Sequence, residues 1–227
     1  MFLILLMKKG WKTMNKEELM KILDDHESWL QSRRKSGKRA YFRNSDLSGL
    51  DLSGLDLRYS IFRNAILRGT NLSDTNLTGA NMNGIKLRNV SMDEAILKCV
   101  NLSDSHLNGL NFSGLDLSGA NFFGADLNKA DLSCANLKSA TLICAKMNFA
   151  NLKSACLSDS IMKGTYLESA DMREADFEGA DLEWAHCEGA NLEGAVFHGA
   201  NLKDAEFKDA NIKSTNLRFT YECVVFD

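Results

Sequence analysis

From Phe42 to Leu217 every fifth residue is large and apolar, and this register decides what the chain can fold into. It opens with Phe42, Leu47, Leu52, Leu57 and Phe62 and closes with Phe207, Ile212 and Leu217. Steps of five from 42 to 217 give 36 positions, and all but Cys187 are Leu, Phe, Met or Ile. With the large residue numbered i, position i−2 carries 21 Ala and 8 Ser or Thr. The seven exceptions are Leu50, Leu55, Ile85, Val90, Val100, Leu110 and Leu115. Position i−1 is Asn or Asp in 21 of the 36 copies.

A helix repeats its apolar face about every 3.6 residues and a strand every second residue. A period of five, with one large and one small apolar residue, requires the chain to bend after every five residues. The Asn, Asp, Ser and Gly content supplies those turns. Positions i and i−2 then face one narrow interior, and successive coils stack by backbone hydrogen bonds ~4.8 Å apart. Self-similarity at a short fixed period marks a solenoid. The chain has no proline, as a continuous hydrogen-bond ladder requires.

Motifs such as Ala80-Asn-Met-Asn-Gly84, Ala120-Asn-Phe-Phe-Gly124, Ala180-Asp-Leu-Glu-Trp184 and Ala190-Asn-Leu-Glu-Gly194 resemble the pentapeptide repeat family, A-(D/N)-L-x-x. The resemblance covers residues 40–219. It implies an all-β solenoid, a right-handed quadrilateral β-helix with four pentapeptides per 20-residue coil. Thirty-six pentapeptides then make about nine coils. The larger residues at i−2 predict local widening or altered turns. His26-Glu-Ser-Trp29-Leu30 also resembles a helix carried by some members of the family.

Ahead of the repeat, Asn15 is a suitable N-cap, with Glu18 three residues on as in a capping box. Leu19, Ile22, Leu23, His26 and Leu30 follow helical spacing. A helix over 15–33 is expected, with Gly37 in the linker that ends at 39. Its apolar stripe must be buried, and solenoid ends need covering. The helix is therefore expected to cap the first coil; a partner-binding helix is the alternative.

Residues 1–14 are expected to be a tail. The apolar run Met1–Met7 is too short to span a membrane, which takes ~20 residues. Lys8 and Lys9 follow it, where a signal peptide has its charge first. Translation starting at Met14 is a further reading. At the other end the register fails at Glu222, and residues 220–227 form an apolar, β-prone tail. An open coil end is an exposed sheet edge. Either the tail folds over its own last coil, or Phe219, Tyr221, Val224, Val225 and Phe226 contact a second copy end to end, as some members of the family do.

Six cysteines at spacings that match no zinc or redox motif are expected to be reduced thiols in a cytoplasmic protein. No catalytic constellation emerges. His106 and His186 share a column but stand four coils apart. His186, Cys187 and Glu188 are adjacent, yet Cys187 points inward and His186 outward. No metal, no cofactor and no enzymatic activity are expected.

Function must then lie on the outside. Gyrase-binding and quinolone-resistance members imitate DNA with a negatively charged rod, so the resemblance makes a DNA-mimicking binder of a type II topoisomerase one reading. The charges argue against it. Position i+1 carries 14 basic residues and six acidic ones, Asp93, Glu168, Glu178, Glu183, Glu188 and Glu193. Residues 33–68 hold nine Lys or Arg against three Asp, and residues 168–193 hold nine acids against Arg173 alone. A mimic spreads its charge along the rod, as phosphates are spread along a duplex. A net charge of −3 points to neither direct nucleic-acid binding nor a membrane partner.

The favoured reading is a rigid scaffold for protein–protein interaction, its partner unnamed by the sequence. The candidate partner-binding residues are the acidic ring Glu168, Glu178, Glu183, Glu188 and Glu193 and an apolar patch of Phe123, Ile143 and Ile161. Contiguous exposed apolar residues mark interfaces, unless a turn variant tucks them in.

Overall fold

A computed structural model describes residues 12–218 and 220. They form two compact units that divide between Asn101 and Leu102. The expected contacts of Phe219, Tyr221, Val224, Val225 and Phe226 lie outside the described residues.

Within each unit, residues 20 apart pair in parallel. Tyr41 pairs with Ile61 and Asp51 with Asn71 in the first; Asp126 pairs with Lys146 and His186 with Glu206 in the second. Each unit is therefore a β-helix whose coil has four five-residue sides.

One pentapeptide, Ala130–Cys134, explains the sequence code. The Ala130 N–H donates to the Leu127 carbonyl across the corner at 3.0 Å. Asp131 N–H donates to Leu110 O on one neighbouring coil, and Leu132 and Cys134 N–H donate to Asn151 and Lys153 O on the other. The remaining donor, Ser133 N–H, is caught by Asp131 Oδ1 at 3.0 Å. All five main-chain donors are satisfied, as burial beside a core requires. This is why position i−1 favours Asn and Asp: an Asx turn holds the N–H that the ladder cannot reach. The same bond forms at Asp46, Asp51, Asn71, Asn121 and Asp181, among others. Asn side chains extend the pattern between coils, Asn71 Nδ2 donating to Asp51 Oδ1 and Asn151 Nδ2 to Asp131 Oδ1.

Position i+2 has its own rule. From Asn44 to Ser214 all 35 such residues have φ between 54° and 74°. One left-handed residue at the second central place is the type II turn. Gly fills 14 of the 35 and Asn or Asp eight; none is Val, Ile or Thr, the residues that tolerate positive φ least.

The 34 core positions from Phe42 to Phe207 are buried. Ile212 is 38% exposed and Leu217 half-buried, because no coil stacks on them among the described residues. Rings stack between coils where Phe recurs, as at Phe177 and Phe197, 4.6 Å apart. The small position excludes bulk: Leu50, Leu55, Val90 and Leu110 are only half-buried, although Ile85 and Val100 fit inside. The expected altered turn occurs between Leu87 and Val90, where the corner is a bend without the usual hydrogen-bonded turn.

The short strand β1 (Lys12–Thr13) pairs in parallel with β2 (Ser45–Asp46). Two residues expected in the tail thus belong to the fold. The helix α1 (Lys16–Gln31) starts as expected, Asn15 Oδ1 accepting the Glu18 N–H at 2.8 Å. It ends before 33, because Arg33 and Arg34 take positive φ. His26 is its one buried residue. The expected stripe of Leu19, Ile22, Leu23 and Leu30 is half-buried; Leu23 and Leu30 line a groove of about 550 Å³ whose other wall includes Gly54, Leu55, Asp56 and Arg58.

His26 Nδ1 accepts the Ala40 N–H at 3.1 Å. Trp29 stacks on His26 and meets Tyr59 edge-on. The Arg34 guanidinium lies 4.6 Å from the Tyr59 ring. These contacts join α1 to the first residues of the repeat.

Candidate functional site

The second unit carries most of the exposed bulk. Phe123 and Ile143 occupy the same i+1 column in adjacent coils, linked by Gly124 N–H to Ile143 O at 3.0 Å. Ile161 pairs with Thr141 on the same side. Neither Phe123 nor Ile161 is tucked in: they are 46% and 41% exposed, while Ile143 is half-buried. The structure adds Trp184, 53% exposed, at an i+2 corner of the same side. Sequence reasoning reached Phe123 and Ile143 at i+1 and Ile161 at i−1 but passed over Trp184 at i+2. The corner column in which Trp184 follows Cys144 and Gly164 at steps of 20 holds the missed signal.

The neighbouring side carries Phe149, 60% exposed, beneath Lys129 Nζ at 6.0 Å from its ring, and Tyr166, stacked on His186 at 5.0 Å.

The acidic ring is less bare than its sequence. Glu178, Glu183, Glu188 and Glu193 stand on four successive sides, with Glu168 one coil before Glu188. Lys163 Nζ bridges Glu183 at 2.7 Å and Asp181 at 3.0 Å. Lys213 meets Glu193 at 3.1 Å, and His198 meets Glu178 at 3.3 Å. Lys163 and Glu183, Lys213 and Glu193, and His198 and Glu178 are each 20 residues apart, one coil, and the two lysines supply a compensation that counting charges along the chain conceals.

Glu168 and Glu188 differ. Each has one carboxylate oxygen buried without a hydrogen-bond partner. Glu188 faces Glu206, which reaches it from the next coil, and His186 Nδ1 lies 3.3 Å from Glu206 Oε2. Burial pushes the Glu188 carboxyl above its usual range, and the hydrogen bond from Glu188 holds Glu206 below it. The ligand atoms of His186, Glu188 and Glu206 all lie within 4.8 Å of one another. Cys187 points into the core, as expected, and burial raises its thiol pKa far above the ordinary value.

A family model of pentapeptide repeats matches overlapping segments that together run over residues 38–218. The chain belongs to the pentapeptide repeat family. Members of the pentapeptide repeat family adopt a right-handed quadrilateral β-helix, and solved structures agree with that fold here. One is HetL from the cyanobacterium Nostoc, a pentapeptide repeat protein involved in heterocyst differentiation regulation. It is 23% identical over 94% of this chain and 97% of its own, with a TM-score of 0.50. Another is QnrB1, a plasmid-mediated fluoroquinolone resistance protein, 18% identical over 79% of this chain and 91% of its own, with a TM-score of 0.69. At these identities the likeness is one of fold. No curated relative matches the chain. Among the described residues no helix is long and apolar enough to cross a membrane.

Proposed function

We propose that this pentapeptide repeat protein is a non-catalytic, cytoplasmic scaffold that binds another protein through the side bearing Phe123, Ile143, Ile161 and Trp184. The 36 pentapeptides then form nine coils, with α1 as the N-terminal cap. The observation that carries the reading is the exposure of Phe123, Ile161 and Trp184 on one side of the second unit, at positions outside the five-residue register that fills its core. The repeat does not need these side chains to fold: its ladder and core use other positions. Large exposed aromatic residues are the usual anchors of protein interfaces.

The test is the double variant Phe123→Ser/Ile143→Ser. Surface changes of this kind alter stability by about 0.5 kcal/mol or less each. Unaltered melting with lost partner capture supports the scaffold reading; loss of folding sinks it.

The second reading is a DNA-mimicking inhibitor or protector of a type II topoisomerase. The fold likeness to QnrB1 favours it. The pairing of Glu183 and Glu193 with Lys163 and Lys213 weighs against it, because a phosphate mimic needs uncompensated charge. A gyrase supercoiling assay separates the two. Inhibition, or relief from quinolone, at micromolar protein favours mimicry; no effect removes it.

A further inference from the structure

We infer that His186, Glu188 and Glu206 form a binding site for a divalent transition-metal ion such as Zn²⁺. The argument is geometric. With metal–ligand bonds of about 2.0 Å, the donors of a tetrahedral zinc site lie roughly 3.3 Å apart. His186 Nδ1 and Glu206 Oε2 are separated by 3.3 Å. The Glu188 carboxylate lies within 4.8 Å of both, close enough for a side-chain rotation to complete a three-ligand face.

The fold makes this arrangement. His186 and Glu206 occupy the same i−1 column one coil apart, locked by a parallel bridge. Glu188 stands two residues beyond His186, where the strand's alternation returns its side chain to the same face. Tyr166 stacks on the His186 ring with an interplanar angle of 13° and fixes its orientation, as the supporting residues of metal-bound histidines do.

A second observation points to a cation. Among the described residues neither Glu188 nor Glu206 pairs with Lys or Arg, although Glu183 and Glu193 nearby do so. Glu188 Oε2 is buried without a hydrogen-bond partner. A buried polar atom normally has a hydrogen-bond partner, and a bound cation would supply the contact that this oxygen lacks. The one nitrogen and two carboxylate donors suit zinc and its first-row neighbours better than Mg²⁺ or Ca²⁺, which take all-oxygen shells. Glu206 is exposed and His186 and Glu188 half-buried, so water completes the shell. The ion would tie two coils together.

Calorimetric titration of the tag-free full chain with Zn²⁺ tests this, with melting temperature as a second readout. One equivalent is expected to bind at micromolar concentration and raise the melting temperature, while Mg²⁺ at the same concentration does neither. Glu206→Gln and His186→Gln should each weaken binding at least tenfold and abolish the shift. His198→Gln, which alters the other His–Glu pair, should leave both unchanged. Absence of binding up to about 100 µM, or binding that survives Glu206→Gln, overturns the inference; the second result would assign the zinc to other groups such as the exposed cysteines. Retention of the unliganded melting temperature by Glu206→Gln separates lost binding from lost folding. If that temperature falls, Glu206→Asp, which keeps the charge but shortens the reach, must still bind Zn²⁺, and its failure to do so counts against the site.

Discussion

His26 Nδ1 accepts the Ala40 N–H at 3.1 Å, fastening α1 to the start of the repeat. The opposite nitrogen, Nε2, is buried with no partner in hydrogen-bonding geometry, its polar neighbour being the Arg58 main chain. An acceptor at Nδ1 requires the neutral ring, with the proton on Nε2. Removing the imidazole strands the Ala40 donor. His26→Ala is expected to lower stability by about 1–3 kcal/mol, measured by urea unfolding.

Protonation should loosen the same contact. Burial holds the His26 pKa below its ordinary 6.5, with Arg39 and Arg58 reinforcing the shift and Asp56 opposing it. The unfolded chain therefore takes up the proton first as pH falls. The His26 contribution is fully present above about pH 6.5 and is lost as pH drops through the lower folded value. Melting at pH 7.5 and 5.5 should show a larger decrease for the parent protein than for His26→Gln. Equal decreases would contradict this assignment.

Gly37 is a sharper structural test. Its φ is +73°, and a Cβ there would collide with Asp25 O and stand 2.6 Å from Trp29 N. Gly37→Ala must displace the end of α1. Gly49 has a similar φ but nothing within 4 Å of its Cβ, so Gly49→Ala carries only the left-handed strain, about 1–2 kcal/mol. Hydrogen exchange should accelerate across α1 in Gly37→Ala and not in Gly49→Ala.

Corner chemistry predicts a graded series at Ser139, where φ is 56°. Ser139→Gly relieves strain and should leave stability unchanged or slightly raised. Ser139→Val places a β-branched residue at positive φ and should cost about 1–3 kcal/mol. Denaturant midpoints at constant slope report the difference.

The cysteines offer a chemical readout of the register. Cys99, Cys134 and Cys144 are exposed, whereas Cys187 is buried in the core with a raised thiol pKa. Thiolate reactivity requires exposure and ionisation. Aromatic disulfide reagent should label the first three in the native protein and Cys187 only on unfolding, as mass spectrometry of peptides would report.

Much of this fold is legible in the sequence because one residue step fixes one structural role. The register identified the buried face from Phe42 to Phe207, and Asn15 gave the start of α1. At Ile212 and Leu217 the periodicity persists without a covering coil among the described residues. His26 looked like one member of an apolar stripe; only the docked helix reveals it as a hydrogen-bonded pivot. The surface was harder to read. Glu183 counts as an acid along the chain, but Lys163 cancels it across the coil. Glu206 stands 18 residues beyond Glu188 in sequence, yet the stacking of i−1 on i−1 brings it beside His186. A 20-residue column alignment carries both signals; a one-dimensional charge count carries neither.

The claim that the Phe123 side is made for binding is tested most directly by site-specific photo-cross-linking in living cells. The photoreactive residue is placed at position 123 and, separately, at Lys138, an exposed i+1 position on another side. The scaffold account predicts discrete protein adducts from position 123 and none of the same adducts from position 138. No adduct from position 123, or the same set from both, would contradict it.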